Sequence, residues 1–310
     1  MRFYSFGVFA FIAGCKKTVT SDVSSPLAPS TSEVPIGASQ NIPAPLVTRV
    51  PSKRIPSGPP MAPMPADGIF TSPTGESYKT GSRLGVGSQG EVFEAVRKSD
   101  GEVVALKRVR KPVTAAREVA AMKAVVGQAG FAQISDEFPH AENHVIIMNV
   151  LGKSVYKLKK SDNKLTPQTV GSIALQMIDR FETLHRLGYV HGDMYPNNLL
   201  LDASEENVIV IDFGQARPTT KGGDEINKVS DARSLSHSVL RLFNPDTAFG
   251  SYQHVGSTAL SKVCEGLPAP VEELFRYTHM TLTHGDGPNY NLMRSLMRKL
   301  APGYTGKVIA

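Results

Sequence analysis

The sequence has no tryptophan and only two cysteines, Cys15 and Cys264. So few cysteines exclude a disulfide-stapled scaffold, and no Cys-x-x-Cys pair or His/Cys cluster gives the spacing of a zinc site. No run of about eighteen apolar residues occurs, which excludes an ordinary membrane-spanning helix. There is no internal repeat. There is also little charge excess where folding is expected. The formal net charge of +6 invites a nucleic-acid partner. However, residues 1–66 hold six basic residues (Arg2, Lys16, Lys17, Arg49, Lys53 and Arg54) against Asp22 and Glu33, so 67–310 carries 28 basic against 26 acidic residues. The excess sits in the leader, and no nucleic-acid partner is expected. The rest, 41% apolar and 20% charged, is an ordinary globular balance.

Residues 1–15 read as a short targeting segment. Arg2 precedes an apolar stretch from Phe3 to Ala13, and Ile12-Ala13-Gly14-Cys15 resembles a bacterial lipoprotein box. That resemblance implies a lipid anchor at Cys15. Residues 16–69 read as a Pro/Ser-rich disordered tether, because 11 of the 22 prolines fall in 16–66 and no periodic apolar pattern accompanies them. Such a segment buries too little surface to offset its ordering entropy. The domain proper is expected over 70–310.

Within it, 78–84 and 91–97 read as two strands around a glycine turn, and 102–109 as a third. Residues 113–126 are Ala-rich and helical, with Pro112 at the start, where a missing N–H does no harm. A short strand follows at 144–148. A long amphipathic helix spans 167–187, opened by Pro167 and followed by Gly188. Short strands at 199–201 and 208–211 lead into mostly helical sequence. Strands first and helices later predict an α+β, two-part domain.

The glycines that matter form Gly85-Val86-Gly87-Ser88-Gln89-Gly90. A dinucleotide fingerprint of this form must open a helix. Here it opens Glu91 to Val96, whose alternation is that of a strand. A strand–turn–strand flap suits backbone amides closing over phosphates. Val104-Ala105-Leu106-Lys107 follows, and Glu118 is the sole acidic residue between Lys107 and Asp136, which makes it the natural partner for that cation. Further on come His191-Gly192-Asp193-Met194-Tyr195-Pro196-Asn197-Asn198 and Ile211-Asp212-Phe213-Gly214.

These four motifs, in this order and spacing, resemble the glycine loop, third-strand lysine, catalytic loop and Asp-Phe-Gly metal loop of protein kinases. The resemblance runs from about residue 78 to 300. It narrows toward casein kinase 1 and the vaccinia-related kinases at Leu151-Gly152-Lys153-Ser154, in the helix from Ala174 to His185, and at Pro288-Asn289-Tyr290-Asn291-Leu292. It implies a two-lobed fold, with an N-lobe over about 70–148 and a C-lobe over about 152–310. It also implies ATP and magnesium as cofactors and a protein substrate. Asp193 would be the catalytic base, Lys107 and Glu118 the phosphate-holding pair, and Asn198 and Asp212 the metal ligands. Gly85, Gly87 and Gly90 would cover the phosphates. Leu84, Val92, Ala105 and Leu200 would enclose adenine, with Met148 as gatekeeper and the Leu151 backbone on the adenine edge. His191 would pack beneath Phe213 beside Met122, and Asp231 would fix the catalytic-loop backbone.

Three departures qualify this. Tyr195 stands where Ser/Thr kinases place a lysine. Gly192 stands where an arginine reads activation-loop phosphate, so activation without loop phosphorylation is expected. Only residues 215–230 separate Gly214 from Asp231, a shortened activation segment similar to that of some bacterial effector kinases delivered into host cells. A host protein is therefore a possible substrate, and the location is membrane-anchored, secreted or host-delivered, or cytoplasmic if the leader is not processed. Two alternatives stay open: a small-molecule kinase of the aminoglycoside or choline type, since residues 191–198 also fit that pattern, and a pseudokinase binding module.

Overall fold

The computed structural model describes residues 61–87, 89–155, 158, 165–219, 225–244, 263–282 and 287–308. The leader, Cys15 and most of the tether fall outside that range.

The strand Val103–Val109 organises the first lobe because its two faces are both apolar. Val104 and Leu106 point into one cluster with Phe70, Tyr78, Phe138, Val145 and Ile147, while Ala105 and Val109 point into a second. Successive residues of a strand face opposite sides, so Lys107 shares the face of Ala105 and Arg108 the face of Leu106. The sheet is antiparallel with strand order β1-β2-β3-β4-β6-β5. Its members are β1 (Ile69–Thr71), β2 (Ser77–Val86), β3 (Gly90–Arg97), β4 (Val103–Val109), β5 (Ile134–His140) and β6 (Asn143–Asn149). Burying one Phe such as Phe70 or Phe138 is worth about 1.5–3 kcal/mol over leaving it exposed. Helix α1 (Pro112–Ala124) packs on the second face, with Pro112 in its first turn.

The second lobe is built on α2 (Pro167–Arg186). Thr166 caps it by accepting the Thr169 N–H, and Ile173, Met177, Ile178, Phe181 and Leu184 are buried. The pairs β7 (Tyr189–Val190) with β10 (Arg217–Pro218), and β8 (Leu199–Leu201) with β9 (Val208–Val210), carry the loops of the cleft. Helices α3 (Glu225–Phe243), α4 (Ala269–Arg276) and α5 (Tyr290–Arg298) complete the lobe, with a π-helical turn at Tyr277–Thr281. Arg294 of α5 pairs with Asp179 at 2.8 Å and also with Glu182, which locks α5 onto α2.

The expected α+β, two-lobed architecture is present, and each expected strand and helix appears within about two residues of its reading. Missing from that reading were β1, β5 and the short pairs at 189–190 and 217–218. Ordered packing also starts earlier than the sequence suggested. Residues 61–65 lie against the outer face of the sheet, where the Ala62 N–H donates to Asn143 Oδ1 at 3.0 Å. The buried Arg108 guanidinium donates to the Ala62 carbonyl and, at 2.9 Å, meets Met64 Sδ. The proline content that suggested a free tether is also suited to an extended strap, which makes its contacts through the Ala62 backbone and the Met64 sulfur.

Candidate active site

Lys107 leaves β4 toward α1, and the first turns of α1 bring Glu118 beneath it. Lys107 Nζ lies 2.5 Å from Glu118 Oε1 and 2.8 Å from Asp212 Oδ1. Burial would depress the Lys107 ammonium, but the two carboxylates outweigh it and hold its pKa above the ordinary lysine value. Burial likewise favours the neutral form of Asp212, yet Lys107 holds that carboxyl below its ordinary value. At neutral pH Asp212 is therefore an anion facing the cleft. Burial pushes the Glu118 carboxyl up, against the pull of Lys107.

The loop from His191 to Asn198 is fixed from below by α3. Asp231, fully buried, accepts the backbone N–H groups of His191 and Gly192, each at 2.8 Å. His185 Nε2 donates to the same carboxylate at 2.8 Å, and its Nδ1 accepts from the Tyr290 hydroxyl. Asn198 Nδ2 donates to the Asp193 carbonyl at 2.7 Å and to Asp193 Oδ2 at 3.2 Å, so these two side chains face each other. His191 spends both ring nitrogens: Nε2 donates to the Ile211 carbonyl at 3.1 Å and Nδ1 accepts the Asp193 N–H at 3.3 Å. Its ring lies 5.2 Å from that of Phe213. The geometry gives His191 a packing and positioning role beneath Phe213, with Met122 buried in the same core.

The adenine-side residues divide by exposure. Ala105 and Met148 are paired across β4 and β6 and are buried, while Leu84 and Val86 on the flap are 51% and 63% exposed. Val92 pairs with Gly85 across the flap and with Lys107 on the next strand. Leu151 and Leu200 are half-buried, and the Gly152 N–H donates to the Leu201 carbonyl at 2.8 Å, so the connector lies along β8. Gly87 donates to the Gly90 carbonyl at 2.9 Å and closes the flap's turn. Strand pairing thus sets Gly85, Val92 and Lys107 side by side and Ala105 beside Met148, while ion pairs and hydrogen bonds join Lys107 to Glu118 and Asp212 and Asn198 to Asp193.

Sequence reasoning gave no role to His185, Tyr290 or Phe131. The Phe131 ring lies 6.2 Å from that of Phe213, and its segment is tied to β9 by Ala132 N–H to Val210 O at 3.0 Å and Val210 N–H to Gly130 O at 2.9 Å. Of the three, only His185 and Tyr290 stood in quoted motifs, and nothing local indicates that Tyr290 meets His185 and His185 meets Asp231.

A protein kinase domain model matches residues 78–237, about half of the chain, and the match spans the glycine flap, Lys107, the catalytic loop and Asp212. The chain belongs to the protein kinase family. Among curated proteins, casein kinase I homolog 3 of Schizosaccharomyces pombe is 25% identical over 274 residues, which cover 73% of this chain and 62% of that protein. Casein kinase I homolog 2 of the same yeast is 24% identical, over 73% and 63% of the two chains. This kinase therefore spans less than two thirds of the length of these relatives.

Its residues fit the cofactors of the family. Asp212 offers a carboxylate kept ionised by Lys107, and Asn198 keeps Oδ1 available while Nδ2 serves Asp193. Hard oxygen donors of this kind suit magnesium. The departures also acquire physical form. Gly192 has φ +76°, and a Cβ there would meet the Gln215 carbonyl at 2.9 Å, so an arginine does not fit this loop without strain. The Arg241 guanidinium of α3 lies over the Tyr195 ring, 5.4 Å from its centre. Residues 215–224 separate Gly214 from the start of α3.

Proposed function

We propose that this kinase transfers the γ-phosphoryl group of ATP to a serine or threonine hydroxyl of a protein, without prior phosphorylation of its activation segment. The single observation that carries this reading is Lys107 Nζ standing between Glu118 and Asp212, the arrangement that phosphoryl transfer needs in place before substrate binds. Lys107 would hold the α- and β-phosphates. Asp193 would accept the hydroxyl proton and orient the oxygen for attack, while Asn198 fixes the Asp193 side chain. When bound, magnesium neutralises charge on the phosphate oxygens; Asp212 and Asn198 are the residues that would hold it.

Independence from phosphorylation rests on backbone pairing. Arg217 and Pro218 pair with Val190 and Tyr189, and the Thr219 N–H donates to the Gly188 carbonyl at 2.7 Å, so the first part of the segment is held beside the catalytic loop by strand contacts. The similarity to casein kinase I homologues favours a protein acceptor. A second reading, a small-molecule kinase, is favoured by Tyr195 and by the ten residues at 215–224. We also propose a lipid anchor at Cys15, supported by the Ile12-Ala13-Gly14-Cys15 sequence; a Cys15→Ser chain that still partitions with membranes would sink that idea.

The test follows labelled phosphate from ATP into the full chain itself, into generic protein acceptors and into aminoglycosides. Transfer to protein that disappears in Asp193→Ala and Asp212→Ala supports the main reading. Transfer only to the small molecules supports the second. Nucleotide binding without any transfer makes the chain a binding module.

A further inference from the structure

Gln89, at the tip of the glycine flap, crosses the cleft. A Cβ placed on Gly214 would fall 1.6 Å from Gln89 Oε1, so the carboxamide rests on the one residue of the Asp212–Gly214 loop with no side chain to obstruct it. The backbone aims it there. The Gln89 carbonyl accepts the Arg110 N–H at 2.9 Å, and the Gly87–Gly90 hydrogen bond closes the turn around it. Yet Oε1 is buried and has no hydrogen-bond partner among the described residues. An unpaired buried acceptor is unfavourable and is relieved by an N–H or a cation. Lys107, the cation paired with Asp212 of the same loop, is engaged by Glu118 and Asp212. The acceptor therefore stands beside the metal loop, on the flap that covers the phosphates, with its donor still to come.

We propose that Gln89 is a further binding residue of the nucleotide site, its carboxamide serving the magnesium-bound triphosphate from the flap side. This rests on the kinase reading above. A carboxamide suits the task, since its oxygen is a hard ligand for a hydrated magnesium ion and its NH2 donates to phosphate oxygen. A contact with the metal–phosphate unit should be absent when the metal is absent, which gives it a signature that packing lacks.

The experiment measures, by titration calorimetry on the full chain, the affinity for ADP and for a non-hydrolysable ATP analogue, each with magnesium and with EDTA. Gln89→Leu keeps the size and removes the polar end. It is expected to weaken magnesium-dependent binding of the ATP analogue about five- to tenfold, the effect of losing one such contact. Binding in EDTA should be unchanged, and Gln89→Glu should recover part of the magnesium-dependent affinity. Equal affinity of Gln89→Leu and the native chain overturns the proposal and leaves Gln89 a spacer. Tighter binding by Gln89→Leu, with or without metal, overturns it and makes Gln89 a latch that nucleotide must displace. If the native chain binds no nucleotide under any condition, the kinase reading itself fails.

Discussion

Lys107 Nζ touches Glu118 Oε1 at 2.5 Å deep in the N-lobe, where Glu118 is 1% exposed. A buried carboxylate of this kind is stable as an anion only beside its cation. Glu118→Ala is expected to lower phosphoryl transfer more than tenfold and to destabilise the fold by about 3 kcal/mol, because Lys107 loses a buried partner. Glu118→Gln, which keeps an oxygen toward Lys107, should lose less of both. Urea denaturation and initial rates on the same preparations check the pairing of the two effects.

Asp231 serves the catalytic loop through two backbone N–H groups and His185. Asp231→Ala leaves those donors buried and unpaired, so a loss of about 3 kcal/mol is expected. The local readout is amide exchange: the protection of His191 and Gly192 should collapse while that of β4 persists. Uniform loss of protection across both lobes would show that Asp231 supports the fold as a whole rather than the loop.

Gly192 gives a test of the unphosphorylated active state. Gly192→Arg restores the residue type of phosphorylation-controlled kinases but puts a Cβ at positive φ against the Gln215 carbonyl. It should cost about 1–3 kcal/mol and reduce activity without creating dependence on phosphorylation. A Gly192→Arg chain that gains activity on phosphorylation would contradict the strand-held segment.

His237 and His279 meet Nε2 to Nε2 at 3.0 Å and stack on Phe275. Burial, with His279 and two arginines nearby, depresses His237 to about 3. Burial depresses His279 to about 4, although the Phe275 carbonyl pulls the other way. The unfolded chain binds protons at these two sites below about pH 6.5, whereas the folded chain does not until near pH 4. Stability from this pair is therefore full above pH 6.5 and declines as the pH falls toward 4. Melting temperatures between pH 7 and 4.5 should fall less steeply for His237→Phe than for the native chain.

The motif residues were legible because phosphoryl transfer demands particular side chains at fixed spacing, and spacing survives in one dimension. Strand β5 was not. Its sequence, Ile134 to His140, contains an acidic pair and Pro139, and only Phe138 is fully buried. It is the edge of the sheet, where a proline and polar residues are tolerated and no alternation is enforced. The partnership of His185, Tyr290 and Asp231 was hidden for a different reason. His185 lies 46 residues from Asp231 and 105 from Tyr290, and both His185 and Tyr290 look locally like ordinary helix residues. The strap at 61–65 was concealed by composition, since its binding partners Arg108 and Asn143 lie far along the chain.

That strap also supports a prediction. Chains starting at residue 61 should melt as the full chain does, whereas chains starting at residue 66 should melt several degrees lower, since Arg108 loses the Ala62 carbonyl and Asn143 the Ala62 N–H. Loss of one buried charged contact is worth about 1.5–3 kcal/mol. An activity assay on the shorter chain would then report on a weakened N-lobe.

The strap has a mechanical consequence as well. Arg108 sits one residue from Lys107 on a central strand, and its guanidinium grips the chain at Ala62 and Met64. Tension applied at residue 61 reaches β4 through Arg108 before it reaches β1. The clasp bears that load first, so Lys107, one residue away, keeps its register until the grip gives way.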